Sequence, residues 1–323
     1  MITSSDLIRL PFTADLSLGG VAYACRSLHY TYDRMGGSPY DRMRRIAAGV
    51  AVELAFRRHL SEEGVPYDVM GATPFTEPDR YDVAIRGRRC DLKSYLLYHR
   101  DKIKSLRREP AGLLDAPALV PVDQMTSDHL RESDLLVFGF LLGLLAVGGR
   151  GLARAREAGQ PDFLIHTLPQ DWARPLSWAS LGALALKTDA SEPLTIELGG
   201  QGSRREFITE RVEVPPRQRR EAGKDFYALT YLHVSRLPDG PVGVHSPVLQ
   251  QTFLAGPEGW ENIWIYGMEV ILAGYLTVRE FRRRARRLPV GSKVLQYPVT
   301  RTENLALPLG ELRPLAGLYA RVR

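Results

Sequence analysis

The chain has 323 residues, of which 44% are hydrophobic and 25% charged, and a formal net charge of +6. These proportions exclude a disordered or fibrous chain, and the length suffices to bury a substantial core in one or two domains. Two cysteines, Cys25 and Cys90, exclude a disulfide scaffold, no Cys/His spacing suggests zinc, and the basic balance permits a polyanionic partner without establishing one.

The opening residues, 1 to 10, carry no basic stretch followed by an apolar signal core. With reduced cysteines, a cytoplasmic setting is expected. Gly20 to Tyr32 fits either helix or strand. Ser38-Pro39 then opens a helix in which Ile46, Val50, Leu54 and Leu60 recur at helical spacing up to Gly64. Val65 to Met70 is strand-like. Arg80 to Ile85 and Arg89 to Leu97 are strands around an Arg86-Gly87-Arg88 turn. Tyr98 to Glu109 is helix or loop, Leu113 to Val122 is loop, and Asp123 to Arg131 contains a helical turn. Leu135 to Leu142 reads as a fully buried strand. The run extends to Val147, too short for a membrane helix, so no membrane partner is expected.

A soft boundary falls in the Gly-, Ala- and Arg-rich stretch Gly148 to Pro161. It divides the chain into residues 1–150 and a β-rich region, 151–323. Strands are predicted at Leu194 to Leu198, Glu206 to Val214, Phe226 to Val234 and Val242 to His245. Pro215 to Gly223 is expected to be an exposed basic loop. A helix is predicted over Thr277 to Arg287, with Thr277 as N-cap and Glu280 completing a capping box.

The chemistry lies in the hairpin. Strand alternation sets Asp91 and Lys93 on one face. A two-residue turn at Arg86-Gly87 places Asp82 opposite Asp91, and a turn at Gly87-Arg88 places it opposite Lys93. Either gathers two carboxylates and an ammonium on one surface. Adjacent carboxylates repel unless a cation lies between them. Oxygen ligands suit magnesium, which can stabilise a phosphodiester under attack by water. Asp79, in the literal Pro78-Asp79 pair, is a competitor for Asp82.

The order of helix glutamate, Asp82, Asp91-Leu92-Lys93, helix and buried strand resembles the PD-(D/E)XK nucleases. The resemblance covers residues 40 to 145. It implies an α/β fold with a restriction-endonuclease-like mixed sheet flanked by helices, and magnesium- or manganese-dependent hydrolysis of nucleic acid. The implied roles are metal binding for Asp82, Asp91 and Glu53, a backbone carbonyl ligand from Leu92, and assistance to the attacking water from Lys93. DNA is the expected substrate, in restriction or defence; the alternatives are RNA, branched or single-stranded DNA, or a non-catalytic nucleic-acid-binding protein on a degenerate fold. The C-terminal region is expected to bind or position substrate or to form an oligomer, so a homodimer or partner protein is compatible with it.

Other residues admit plainer interpretations. Gln124 could approach the site or be a surface amide. Arg283, Arg284 and Arg287, within an arginine run, are expected to contact nucleic acid, against the alternative of a solvated helix face. Trp260, Trp264 and Tyr266 are expected in the core, and His233 and His245 in core or surface roles. Gly291-Ser292-Lys293 lacks the upstream glycine of a phosphate-binding loop.

Overall fold

A computed structural model describes residues 1–11, 13–28, 38–69, 82–127, 130–145, 148–157, 163–263 and 265–320. After β1 (Ile8–Pro11), the ambiguous N-terminal segment is helical through Ser27, forming α1 (Ala14–Ser27). α2 (Pro39–Glu62) starts where its cap dictates: Ser38 Oγ accepts a hydrogen bond from the Asp41 amide at 3.1 Å, and Pro39 occupies the first turn. α1 crosses α2 so closely that a Cβ on Gly20 would lie 2.4 Å from the Ala47 carbonyl oxygen, which only glycine avoids.

Next come β2 (Tyr67–Asp68), β3 (Val83–Ile85), β4 (Arg88–Leu97), α3 (Arg100–Arg108), β5 (Pro117–Pro121), α4 (Val122–Met125), β6 (Leu135–Leu145) and α5 (Gly148–Glu157). β5 replaces the loop expected there. Its prolines sit at the two ends of an edge strand, where missing amide donors are tolerated. Further on lie β7 (Leu164–Thr167), α6 (Gln170–Ala173), β8 (Ala185–Thr188), β9 (Leu194–Gln201), β10 (Phe207–Val214), β11 (Arg219–Glu221), β12 (Ala228–Val234), β13 (Val242–Ser246), β14 (Gln251–Ala255) and β15 (Glu261–Asn262). β11 lies within the segment expected to be an open basic loop, because it pairs with β8. The chain continues with β16 (Ile265–Thr277), α7 (Val278–Arg284), β17 (Arg286–Leu288), β18 (Asn304–Pro308) and α8 (Leu315–Tyr319).

The fold is mixed α/β. One six-stranded sheet has the order β1-β16-β6-β4-β3-β2. Only the β4–β6 pair in it is parallel. β6 is buried on both faces. Leu135, Val137 and Leu141 join Val52, Phe56 and Leu60 of α2 in one core. Leu136, Phe138, Phe140 and Leu142 join Ile103 and Leu106 of α3 and Phe281 of α7 in another. A third core fills the region between the five-stranded sheet β10-β9-β12-β7-β15 and the four-stranded sheet β11-β8-β13-β14. Met43 and Ala47 of α2 reach into it, so this helix is shared between two cores.

The sheets do not respect a boundary at residue 150. β16 pairs with β6 along ten register positions, and β18 pairs with β5. The C-terminal segment therefore completes the sheet that the N-terminal segment begins, and among the described residues only 163–263 build sheets of their own. The helix expected over 277–287 ends at Arg284, because Ala285 turns to φ −70°, ψ 149° and Arg286 enters β17. Its capping box forms as the sequence requires, with Thr277 Oγ accepting from the Glu280 amide at 3.2 Å. Among the described residues no helix is long and apolar enough to cross a membrane.

Candidate active site

The β3–β4 hairpin turns through Arg86 at φ 47° and Gly87 at φ 70°. Two central residues with positive φ define the turn whose twist matches that of the flanking strands. The ladder runs Ile85↔Arg88, Ala84↔Arg89, Val83↔Cys90. This is the register that, extended one step, sets Asp82 against Asp91. The ladder itself stops at Val83. The Asp82 amide donates to the Cys90 carbonyl at 3.1 Å, and its carboxylate accepts from the Leu92 amide at 2.6 Å. Asp82 thus turns its carboxylate to the edge of β4, where the next strand bond would have been.

That position is electrostatically unusual. Burial, then Asp91, then Glu53 push the Asp82 carboxyl up to about 8, with the Leu92 amide and Lys93 opposing. Lys93 is held from two sides: its Nζ lies 2.7 Å from Asp91 Oδ2 and donates to Gln124 Oε1 at 2.9 Å. Gln124 belongs to α4, so the connection between β4 and β6 returns a side chain to the site. Glu53, on α2, is ion-paired with Arg57 one turn later. Arg57 Nη2 also donates to the Asp82 carbonyl at 3.0 Å and so ties α2 to the hairpin.

The structure therefore gathers Asp82, Asp91, Lys93, Glu53 and Gln124 around the edge of β4. Two supporting residues had not been singled out from the sequence. Arg57 could have been found as the i+4 partner of Glu53. Arg89, which pairs with buried Asp134 and fixes the start of β4 to that of β6, has no local signal. Asp79, the competitor for Asp82, lies outside the described residues.

Comparisons with family models, curated proteins and solved structures find no match.

Among the described residues no three His, Cys, Asp or Glu side chains form a ready-made metal cage. The chemistry of the donor set nonetheless fits magnesium. It offers the Asp82, Asp91 and Glu53 carboxylates, all oxygen donors, and a buried Asp82 whose ionisation is opposed by two like charges. A cation here would have to draw Asp91 from Lys93 and Glu53 from Arg57.

The arginines of the C-terminal run are largely engaged within the protein. Arg279 pairs with Glu132 at 2.7 Å, Arg284 with Glu311 at 2.9 Å and Arg287 with Glu303 at 3.1 Å. Arg282 donates to the Met125 carbonyl, while Arg283 is exposed. Because the helix ends at Arg284, Arg287 lies on β17 and not on the helix with Arg283 and Arg284. Trp260 is buried, and the side chains of Trp264 and Tyr266 lie outside the described residues. His233 stacks on Phe163 with ring centroids 3.7 Å apart, and His245 Nδ1 lies 3.0 Å from Thr252 Oγ1.

Proposed function

We propose that this protein is a magnesium-dependent nuclease with a restriction-endonuclease-like core of the PD-(D/E)XK type. The observation that carries the reading is the meeting, at one strand edge, of Asp82, Asp91 and Lys93 from the hairpin and Glu53 from α2. Asp82, Asp91 and Glu53 would hold the cation, with the Leu92 carbonyl as a further ligand. Magnesium, when bound, supplies positive charge against the scissile phosphate and makes the attacking water more acidic. Lys93 Nζ donates a hydrogen bond to that water and offsets charge growing on the phosphate. Gln124 fixes the direction of the ammonium. Hydrolysis adds hydroxide to phosphorus and a proton to the departing sugar oxygen. DNA is the proposed substrate and defence or restriction in the cytoplasm the proposed setting; manganese would substitute for magnesium.

A second reading keeps the fold and the affinity for nucleic acid but drops the chemistry. The internal partners of the acids, Lys93 for Asp91 and Arg57 for Glu53, favour it. One experiment separates the two. Purified protein is incubated with supercoiled, linear and single-stranded DNA and with RNA, in magnesium, manganese, calcium or chelator. The nuclease reading requires cleavage in magnesium or manganese and none in calcium or chelator. Nucleic acid that is bound yet uncut in every metal would favour the second reading.

A further inference from the structure

The sheet β11-β8-β13-β14 has one face in the core. Leu186, Val242, Val244 and Ala255 point into it and are buried. Strand alternation sends Ala185, Lys187, Gly243 and His245, on the two central strands, to the opposite face. The register aligns that face in rows across all four strands. One row runs Arg219, Lys187, Gly243, Leu254, and the next runs Glu221, Ala185, His245, Thr252.

The small residues fall on the central strands, Gly243 in one row and Ala185 in the other. There the face is hollowed into a cavity of about 310 Å3, walled by Arg219 on one side and Leu254 on the other. This volume is at the small end of the range for sites that hold small molecules. A Cβ on Gly243 would lie 3.1 Å from Leu254 Cδ2, so the exposed leucine leans over the glycine.

The cations of the cavity keep donors to offer. Among the described residues no hydrogen bond or ion pair engages Lys187, which is exposed. Arg219 Nη2 donates to Glu221 Oε1 at 3.1 Å, which uses one of the five N–H groups of a guanidinium. Lys187 and Arg219 are direct cross-strand partners, a relation in which like charges disfavour the pairing and an anion between them favours it. Asp189 closes one end of the cavity, its amide donating to the Pro241 carbonyl at 3.1 Å. Its carboxylate can accept from a ligand hydroxyl or amino group.

We propose that this face binds an organic phosphomonoester of nucleotide size, with its phosphate between Lys187 and Arg219 and its ring against Leu254. A phosphomonoester carries a charge of roughly −1.5 to −2 near neutral pH, which suits two opposed cations better than the single charge of a carboxylate. The planar guanidinium also matches two phosphate oxygens at once. The group comes from a free nucleoside monophosphate or from the phosphorylated end of a nucleic-acid strand. Glu53, Asp82, Asp91 and Lys93 all lie outside residues 163–263, so the site stands or falls apart from the nuclease reading.

The test is isothermal titration calorimetry of the full chain in chelator. The probes are the adenosine, guanosine, cytidine and uridine 5′-monophosphates, the four nucleosides without phosphate, and inorganic phosphate. At least one monophosphate should bind saturably. Its nucleoside and inorganic phosphate should each bind at least about tenfold more weakly, and Lys187→Gln should cost a similar factor, the weight of one charged hydrogen bond. Lys187→Arg should keep most of the affinity, because a phosphate accepts either cation. Saturable binding by none of the monophosphates overturns the site, as does an unchanged affinity in Lys187→Gln. Affinity lost in Lys93→Ala and kept in Lys187→Gln would put the nucleotide elsewhere and also overturn it. Competition by DNA and RNA oligonucleotides with a 5′-phosphate or a 5′-hydroxyl separates the two sources. Displacement by the phosphorylated strands alone assigns the site to strand ends, and displacement by neither kind assigns it to free nucleotides. Equal displacement by both would mean that phosphodiesters suffice and would overturn the monoester.

Discussion

Lys93 touches both Asp91 and Gln124, and the proposed hydrolysis needs its ammonium where a binding protein does not. Lys93→Ala and Asp91→Ala should each lower the cleavage rate by at least about 100-fold, the usual weight of a positioned proton-handling or charge-stabilising group. Both should melt within a few degrees of the parent; cleavage at the parental rate by either would remove its proposed role. Asp82 gives a pH signature. Its carboxyl, near 3.8 when unfolded, rises to about 8 in the fold. The folded state therefore binds the extra proton between those values. Stability in chelator should be highest at the acid end of this window, fall as pH rises through it, and level off above about 8. Asp82→Asn should flatten that fall, and magnesium should stabilise the parent more at pH 8 than at pH 5. Urea midpoints at the two pH values decide it. An equal fall in Asp82→Asn would assign the dependence to other groups. The sequence exposed these side chains through strand alternation and the short turn. The turn of the Asp82 carboxylate onto the Leu92 amide was hidden, because alternation describes a continuous ladder and this one stops at Val83.

Elements with a local cause were plain in the sequence. α2 begins at Ser38-Pro39, α7 begins in a capping box, and β6 declares itself by its unbroken apolar run. Elements whose cause lies far away were not. β16 contains Gly267 and Gly274 and follows no period of its own; it is a strand because β1 and β6 flank it. β17 likewise interrupts a helical arginine pattern because β18 lies beside it. The β3–β4 turn allows a test at this scale. Gly87 has φ 70°, a conformation that costs a residue with a Cβ about 1–2 kcal/mol. Gly87→Val should destabilise by about that amount and lower cleavage, since the turn sets the hairpin register. Arg86→Asn should stabilise by a few tenths of a kcal/mol, as asparagine accepts positive φ more readily. Denaturant titrations measure both, and equal stability in Gly87→Val would mean that the turn has been replaced by another. Thr277→Ala should cost about 1 kcal/mol through loss of the α7 cap.

For the whole molecule, the first and last segments form one sheet around β6, with residues 163–263 inserted between them. A chain cut at residue 157 should therefore not behave as an independent nuclease domain. It should sediment as aggregates where the full chain remains monodisperse; a folded, monomeric 1–157 fragment would show that β16 is dispensable. Strand pairings cross the composition-based division at residue 150, because composition registers where a chain becomes glycine-rich and not where it returns. That return also sets a timetable. β6 is complete at Leu145, while its partner spans Ile265 to Thr277, so paired residues are separated by roughly 120 to 140 positions. At 5–20 residues per second, the ribosome takes on the order of 6 to 30 s to deliver the second strand after the first. Throughout that interval the nascent chain carries an unpaired, wholly apolar strand edge, the kind of segment that recruits copies of itself. The yield of active protein in a cell should then depend on how fast the chain is translated and on whether a chaperone shields β6 while it waits.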